Sequence, residues 1–303
     1  MSIKKQIEIG NLIYDLNKKA RTAVVVGCPD YVTPFTVSIP NTVAFDGLNY
    51  TVTEIEYEAF YMCRSLKSIT IPDSVTEIGV EAFQDCTSLE NVTIPDSVTN
   101  IGDYAFSGCK SLKSIDIPDG VTVIRSYVFS CCTSLESITI PDSVTKIEEY
   151  AFWDCDSLKS IVIPDRVTEI EDSAFWDCDS LKTIDIPDSV TKIGNYAFSY
   201  CIGLESIDIP NSVKNIGGFA FAGCDSLKSI TIPKSVTFIG EGAFQYCERL
   251  KSITIPDNVT EIGKDAFSEC ESLIEINFTG TEKAFPLWVS LMDSEYADLI
   301  KLV

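Results

Sequence analysis

The chain has 303 residues, 45% of them hydrophobic, with 45 acidic against 23 basic side chains and a net charge of -22. There is ample apolar surface for a core, while the charge repels nucleic-acid phosphate and anionic membrane and favours basic partners or cations. Histidine is absent, which removes the commonest zinc ligand, the usual base of a serine or cysteine triad and the one side chain that ordinarily titrates near neutrality.

The first residues, M-S-I-K-K-Q-I-E-I-G-N, carry lysines but no apolar stretch of signal-peptide length behind them. No segment approaches the ~18 apolar residues that span a bilayer. As written, the sequence predicts no export address and no membrane insertion. Two strand-like runs follow, I-E-I-G-N-L-I-Y-D-L and A-R-T-A-V-V-V-G, and predict a β-hairpin in a cap over residues 1–50. The step from Pro40 to Pro72 is 32 residues rather than 23, so nine extra residues sit around A-F-D-G-L-N-Y.

A repeat then takes over. Cysteine stands at 63, 86, 109, 132, 155, 178, 201, 224, 247 and 270, each step being 23 residues. Phenylalanine keeps the same step three residues earlier, and proline keeps it from Pro72 to Pro256. The unit reads L-x-x-I-x-I-P-x-x-V-x-x-I-x-x-x-A-F-x-x-C-x-x, with Val128 replacing its alanine once. Ile69 and Ile71 have the strand period of two, and Pro72, which cannot donate a ladder hydrogen bond, ends the strand. Val75, Ile78, Ala82, Phe83 and Cys86 turn inward around the rest of the coil. One coil cannot bury that face alone; stacking buries it continuously, with parallel strands about 4.8 Å apart and ten coils spanning on the order of 50 Å.

After the last cysteine the pattern breaks. S-L-M-D-S-E-Y-A-D-L-I-K-L-V has helical spacing at Leu291, Tyr296, Leu299 and Ile300, which predicts a helix covering the last coil within a cap over 279–303. The repeat array occupies 51–278, and the whole reads as a single continuous domain.

The unit resembles the leucine-rich repeat, specifically its BspA-like class, whose units read L-x-x-I-x-I-P…V…I-G…A-F-x-x-C; the resemblance runs from about residue 37 to residue 278. It implies an α/β-type repeat solenoid, a right-handed superhelix with a parallel sheet on its concave face, between an N-terminal hairpin cap and a C-terminal helical cap. It also implies a surface or secreted adhesin that contacts host proteins.

The repeat cysteines invite a disulfide or metal reading. Neighbouring Cα atoms at about 4.8 Å fall in the disulfide range, but parallel Cβ vectors hold the Cβ atoms beyond the ~3.8 Å that a bridge prefers. Zinc would want C-x-x-C pairs or histidines. The predicted structure is a core ladder of buried, reduced thiols, Cys63, Cys86, Cys109, Cys132, Cys155, Cys178, Cys201, Cys224, Cys247 and Cys270, packed with phenylalanines such as Phe83, Phe106, Phe152 and Phe175. Cys28 and Cys131 lie off that ladder.

Alternation places Ser68, Ser114, Ser137, Ser160, Ser206, Ser229 and Ser252 on the strand face away from the core, with Thr70, Thr93 and Thr139 two residues on from their serine positions. That face is a hydroxyl-rich ligand groove or, as the near-identity of its rungs favours, a solubilising surface. The positions that vary are aromatic: Tyr104, Tyr127, Tyr150, Tyr196, Phe219, Trp153, Trp176, Tyr200 and Tyr246. Two adjacent copies read A-F-W-D-C-D-S and place Trp153 and Trp176 on neighbouring coils, about 5 Å apart, rimmed by Asp154, Asp156, Asp177 and Asp179. These residues, with Tyr150 and Tyr200, are candidates for partner contact, since aromatic residues enrich interface hot spots; ring stacking that stiffens the coil is the equal alternative. The aspartates that follow the proline in seven coils, Asp73, Asp96, Asp119, Asp142, Asp165, Asp188 and Asp257, read as turn chemistry rather than as a calcium site, because no D-x-D-x-D-G loop occurs. Asn49, Asn91, Asn258 and Asn277 stand in N-x-T sequons.

No Gly-rich phosphate loop is present, and every carboxylate pair belongs to a periodic surface row. The expected function is a non-catalytic protein-binding or adhesion module, without cofactor or metal, for a protein partner such as a host or surface protein. An intracellular scaffold is the alternative.

Overall fold

The computed structural model describes residues 6–28, 33–279 and 299–302. The chain forms two compact units, Met1–Val144 and Thr145–Val303.

In the first unit Gln6–Ile9 pairs antiparallel with Leu12–Asn17, which pairs antiparallel with Thr22–Gly27. The N-terminal runs therefore make a three-stranded meander rather than one hairpin. Thr22–Gly27 continues in parallel onto Leu48–Ile55, and that strand folds back on Thr42–Phe45 as a hairpin. The nine extra residues go into this hairpin, whose turn uses Asp46 and Gly47, both at positive φ. From Leu48–Ile55 the sheet passes in parallel to Glu77–Ile78 and Asn100–Ile101.

The repeats that follow have three rows of backbone hydrogen bonds. The first is the expected parallel ladder at L-x-x-I-x-I. Phe35–Ser38, Leu66–Thr70 and Asn91–Thr93 form one stretch of it, and Ser114–Asp116 with Ser137–Thr139 another. Ile115 points inward at 3% exposure while Ser114 and Asp116 face solvent, as a period of two requires. The second row was not legible in the periodicity: short strands at x-Ile, such as Glu77–Ile78, pair coil to coil. The third row lies in the A-F-x-x-C turns, where Glu81, Phe83 and Asp85 donate their N–H groups to Asp103, Ala105 and Ser107 carbonyls at 2.8–2.9 Å. These bonds run from one coil to the next, whereas Gly102 N–H reaches back to Ile78 O at 2.8 Å.

The second unit repeats this plan. Its second row runs in order through Lys146–Ile147, Glu169–Ile170, Lys192–Ile193, Asn215–Ile216, Phe238–Ile239 and Glu261–Ile262. Its first row is broken: Ser160–Val162 pairs with Thr183–Asp185, residues 206–208 form no strand, and Ser229–Thr231, Ser252–Pro256 and Glu275–Thr279 resume it. A single uninterrupted sheet is therefore not formed.

Two expectations are corrected. The described residues contain no α-helix, so the coils are strands and turns throughout, not an α/β unit. The helical C-terminal cap does not hold at its described end: Ile300–Leu302 is a strand, paired in parallel with Glu275–Thr279. Extending the ladder satisfies the edge of the last coil, a demand that helical spacing does not reveal. Residues 280–298, where the rest of that cap was expected, lie outside the described residues.

In each unit the phenylalanines form stacked columns. Centroids of Phe60, Phe83, Phe106 and Phe129 are 5.1, 5.1 and 5.8 Å apart in the first. From Phe152 to Phe267 in the second they are 5.2–5.7 Å apart. The ladder cysteines from Cys86 to Cys270 lie beside these columns, buried. Cys63 is the exception and is only half-buried.

Candidate functional site

Each A-F-x-x-C turn has two residues in the left-handed region, one just before Ala-Phe and one just before Cys. In the second unit these include Tyr150 at φ 57°, Asp154 at 59°, Ser173 at 57°, Asp177 at 63°, Tyr196 at 55° and Phe219 at 55°. Such a φ costs a non-glycine residue roughly 1–2 kcal/mol. It is held here by hydrogen bonds: Tyr150, Phe152 and Asp154 donate to the carbonyls of Asp172, Ala174 and Trp176 at 3.2, 2.8 and 2.9 Å. The bonds at Phe152 and Asp154 bracket Trp153 and hold its backbone in register with the next coil.

The structure brings Trp153 and Trp176 together as a stacked pair, centroids 5.6 Å apart and planes 17° apart. Tyr150 meets Trp153 edge-on at 6.1 Å and Trp176 at a tilt at 6.3 Å. In the coil of Trp176 the position equivalent to Tyr150 is Ser173, a small residue. Trp176 continues to Tyr196 at 6.3 Å, and Tyr196 stacks on Phe219 at 5.0 Å. The result is a row of five rings on the outside of the turns. Both tryptophans are half-buried, and Tyr196 is 41% exposed. The indole N–H of Trp176 is shielded and has no hydrogen-bond acceptor among the described residues, so packing alone holds the ring. Tyr200 takes no part in the row; it is 47% exposed and its ring lies over Gly223 of the next coil. Tyr196 and Phe219 belong to the site because they stand two and three repeats beyond Tyr150, a signal the spacing already carried.

The tryptophan position is a shoulder of the coil. In four other coils it holds Ser107, Ser130, Ser199 and Ala222, all buried, and in the remaining four Tyr61, Gln84, Gln245 and Ser268, exposed or half-buried. Ser107 and Ser130 join their hydroxyls at 2.8 Å across neighbouring coils. Larger side chains emerge from this position toward solvent, Gln84, Gln245 and the two indoles among them.

Carboxylates rim the row. Asp156 is pushed up to about 6, first by burial and then by Asp154, Asp179 and Asp177. Burial raises Asp177, with Asp179 and Asp154 adding to it, and burial raises Asp179, with Asp154 adding. These carboxylates stand close enough to oppose one another's ionisation, and a cation from a partner would relieve that repulsion. Among the described residues no group of three or more Cys, Asp or Glu is placed to hold a metal ion, and no helix is long and apolar enough to cross a membrane. The Ser and Thr rungs lie on the strand face, exposed or half-buried. The serine rung recurs in most coils, whereas the threonine rung gives way to Asp116, Val162, Asp185 and Asp208.

Comparison with known proteins agrees with this architecture. The model of the BspA type leucine rich repeat region matches residues 53–182 and 168–287. A leucine-rich repeat protein from Bacteroides ovatus is similar at 31% identity, over 98% of this chain and 99% of that one, with a TM-score of 0.57. The T. pallidum leucine rich repeat protein is 33% identical over 66% of this chain and 91% of its own, TM-score 0.58. The pneumococcal vaccine antigen PcpA, at 20% identity and TM-score 0.57, shares the fold. No curated protein matches the sequence. Proteins of this repeat type are typically non-catalytic and generally mediate protein–protein interaction. On the strength of the family model and the Bacteroides likeness, this chain belongs to the BspA-type leucine-rich-repeat family.

Proposed function

We propose that the chain is a non-catalytic binding module of adhesion type, and that it engages a host or surface protein through the row Tyr150, Trp153, Trp176, Tyr196 and Phe219. The observation that carries this reading is the tryptophan pair. It occupies a shoulder where four other coils hold small buried residues, and it presents a half-buried apolar face to solvent. Tyr150, Tyr196 and Phe219 strengthen it, because bulky residues are kept at left-handed positions where glycine would be unstrained, as it is at Gly242. The carboxylate rim and the net charge of -22 suit a partner with exposed aliphatic and basic groups.

The test is a titration of intrinsic tryptophan fluorescence with an amphipathic peptide of leucine and lysine, followed by immobilised surface proteins. Trp153→Ser with Trp176→Ser should weaken binding at least tenfold, and wild-type affinity should fall with added salt. Ser107 and Ser130 give this double substitution a native precedent, so it should stay folded. Unaltered affinity in the folded double variant would move the contact to the Ser and Thr face.

A further inference from the structure

The ladder thiols share one bonding pattern. In the first unit Cys86, Cys109 and Cys132 donate to the carbonyls of Phe60, Phe83 and Phe106 at 3.0, 3.3 and 3.2 Å. In the second, Cys178, Cys201, Cys224, Cys247 and Cys270 donate likewise to Phe152, Phe175, Phe198, Phe221 and Phe244 at 3.0–3.2 Å. Every acceptor is the phenylalanine 26 residues earlier, on the preceding coil. Burial pushes the thiols of Cys86, Cys109, Cys132, Cys178 and Cys224 up, away from the thiolate that exchange chemistry requires. These cysteines are packing elements.

Cys63 opens the ladder and is different. The residue 26 positions before it is Val37, because the first A-F-x-x-C element begins at Ala59. Its sulfur is half-buried and faces Cys28, with the two Sγ atoms 2.6 Å apart. Both backbones are held. Cys28 directly follows Thr22–Gly27, which is paired with Leu48–Ile55, and Glu56 N–H bonds Val25 O at 2.8 Å. Cys63 N–H bonds Phe60 O at 3.0 Å. A bonded pair of sulfurs would be about 2.05 Å apart, so little movement separates this arrangement from a bridge. The parallel Cβ vectors that keep neighbouring ladder cysteines apart do not apply, because Cys28 comes from the meander and not from a coil.

We infer that Cys28 and Cys63 are a redox site that closes to a disulfide and staples the N-terminal meander to the first coil. The oxidant is itself a disulfide, either glutathione disulfide or that of a protein oxidoreductase. One cysteine thiolate attacks a sulfur of the oxidant; its S–S bond breaks and one thiolate leaves. The other cysteine thiolate attacks the mixed disulfide, forms Cys28–Cys63 and releases the second thiolate. Two electrons pass to the oxidant, and the two thiol protons finish on the two departing thiols. The closed loop spans 35 residues and contains the Thr42–Phe45 hairpin, so the bridge restricts the unfolded chain substantially.

The experiment equilibrates the intact chain across a series of glutathione redox buffers, quenches with acid and counts free thiols under denaturing conditions. Of twelve cysteines, ten should remain titratable in oxidising buffer, with peptide mapping joining the segments that bear Cys28 and Cys63, and all twelve after reduction. Oxidation should raise the melting temperature of the wild type by several degrees. Cys28→Ser, which leaves the ladder intact, should keep all its thiols throughout the series and show no oxidative rise. Twelve thiols at every redox poise, a bridge mapping to another pair, or oxidation that stops at a mixed disulfide with glutathione overturns the inference.

Discussion

Two rows of aromatic rings cross the same turns of the second unit, and little else is common to them: the inner row keeps one repeat position, whereas the outer row passes between two. The inner row, Phe152, Phe175, Phe198, Phe221 and Phe244, is one residue type throughout and fully buried. The outer row, Tyr150, Trp153, Trp176, Tyr196 and Phe219, mixes three types and meets solvent. The inner ring fills a gap of fixed size between stacked layers, and close packing punishes any departure from that volume. The outer ring has water on one side, so nothing in the stacking fixes its size. Among the large apolar rings of this solenoid, uniformity therefore marks packing, and variation marks surface available for recognition.

The sharpest way to break the comparison is to cut one ring from each row. Phe152→Ala leaves a void between coils and should cost about 3–5 kcal/mol in denaturant unfolding. The double Trp153→Ser, Trp176→Ser variant should cost clearly less, because Ser107 and Ser130 already occupy that shoulder with a mutual hydrogen bond. Equal costs would make the outer row a second core and remove the basis for a binding role.

The inner row was legible because burial imposes an identical residue at an identical step. The parallel ladder at L-x-x-I-x-I was legible for the same reason. The short strands such as Glu77–Ile78 were not, since two residues are too few to display a period. The left-handed turn positions were also hidden: Tyr, Phe, Asp, Glu and Ser all occupy them, and only Gly108, Gly223 and Gly242 hint at the conformation. Hydrophobic spacing at Leu299 and Ile300 suggested a helix, but the open edge of Glu275–Thr279 recruits Ile300–Leu302 as a strand. Along the outer row, Tyr150, Trp153, Trp176, Tyr196 and Phe219 are all legible as aromatic positions of the repeat, whereas the contact by which the row passes from Trp176 to Tyr196 comes from the geometry of the turn. The nearness of Cys28 to Cys63 depends on how the meander docks, which no repeat spacing encodes.

A smaller effect comes from the carboxylate rim. Asp156 has its folded value raised from 3.8 to about 6. Its neutral form is thus favoured by folding: the contribution is fully present below the ordinary value and is lost as pH rises through about 6. Asp156→Asn should consequently be more stable than wild type at pH 7.5, and the advantage should vanish near pH 4. Because Asp156 keeps contact with solvent, screening reduces the gain to about 1 kcal/mol. Melting curves of both proteins across that range decide it. A constant difference would mean that the rim carboxylates do not repel one another, and the case for a basic partner would lose its electrostatic part.

The finest test separates the outer ring from the backbone that carries it. Tyr196 has φ 55°, stacks on Phe219 and contacts Trp176. Tyr196→Ala and Tyr196→Gly remove those ring contacts equally, so any difference between them belongs to the main chain. At an ordinary position glycine is the less stable of the two, because it has more freedom to lose on folding. At a left-handed position alanine carries the steric penalty of its Cβ, which outweighs that entropy. Tyr196→Gly should therefore exceed Tyr196→Ala in stability by about 1 kcal/mol, the reverse of the usual order. If alanine proves the more stable, the turn is not held left-handed in solution. The outer rings would then sit on a different backbone, and their alignment into one surface would no longer follow from the repeat.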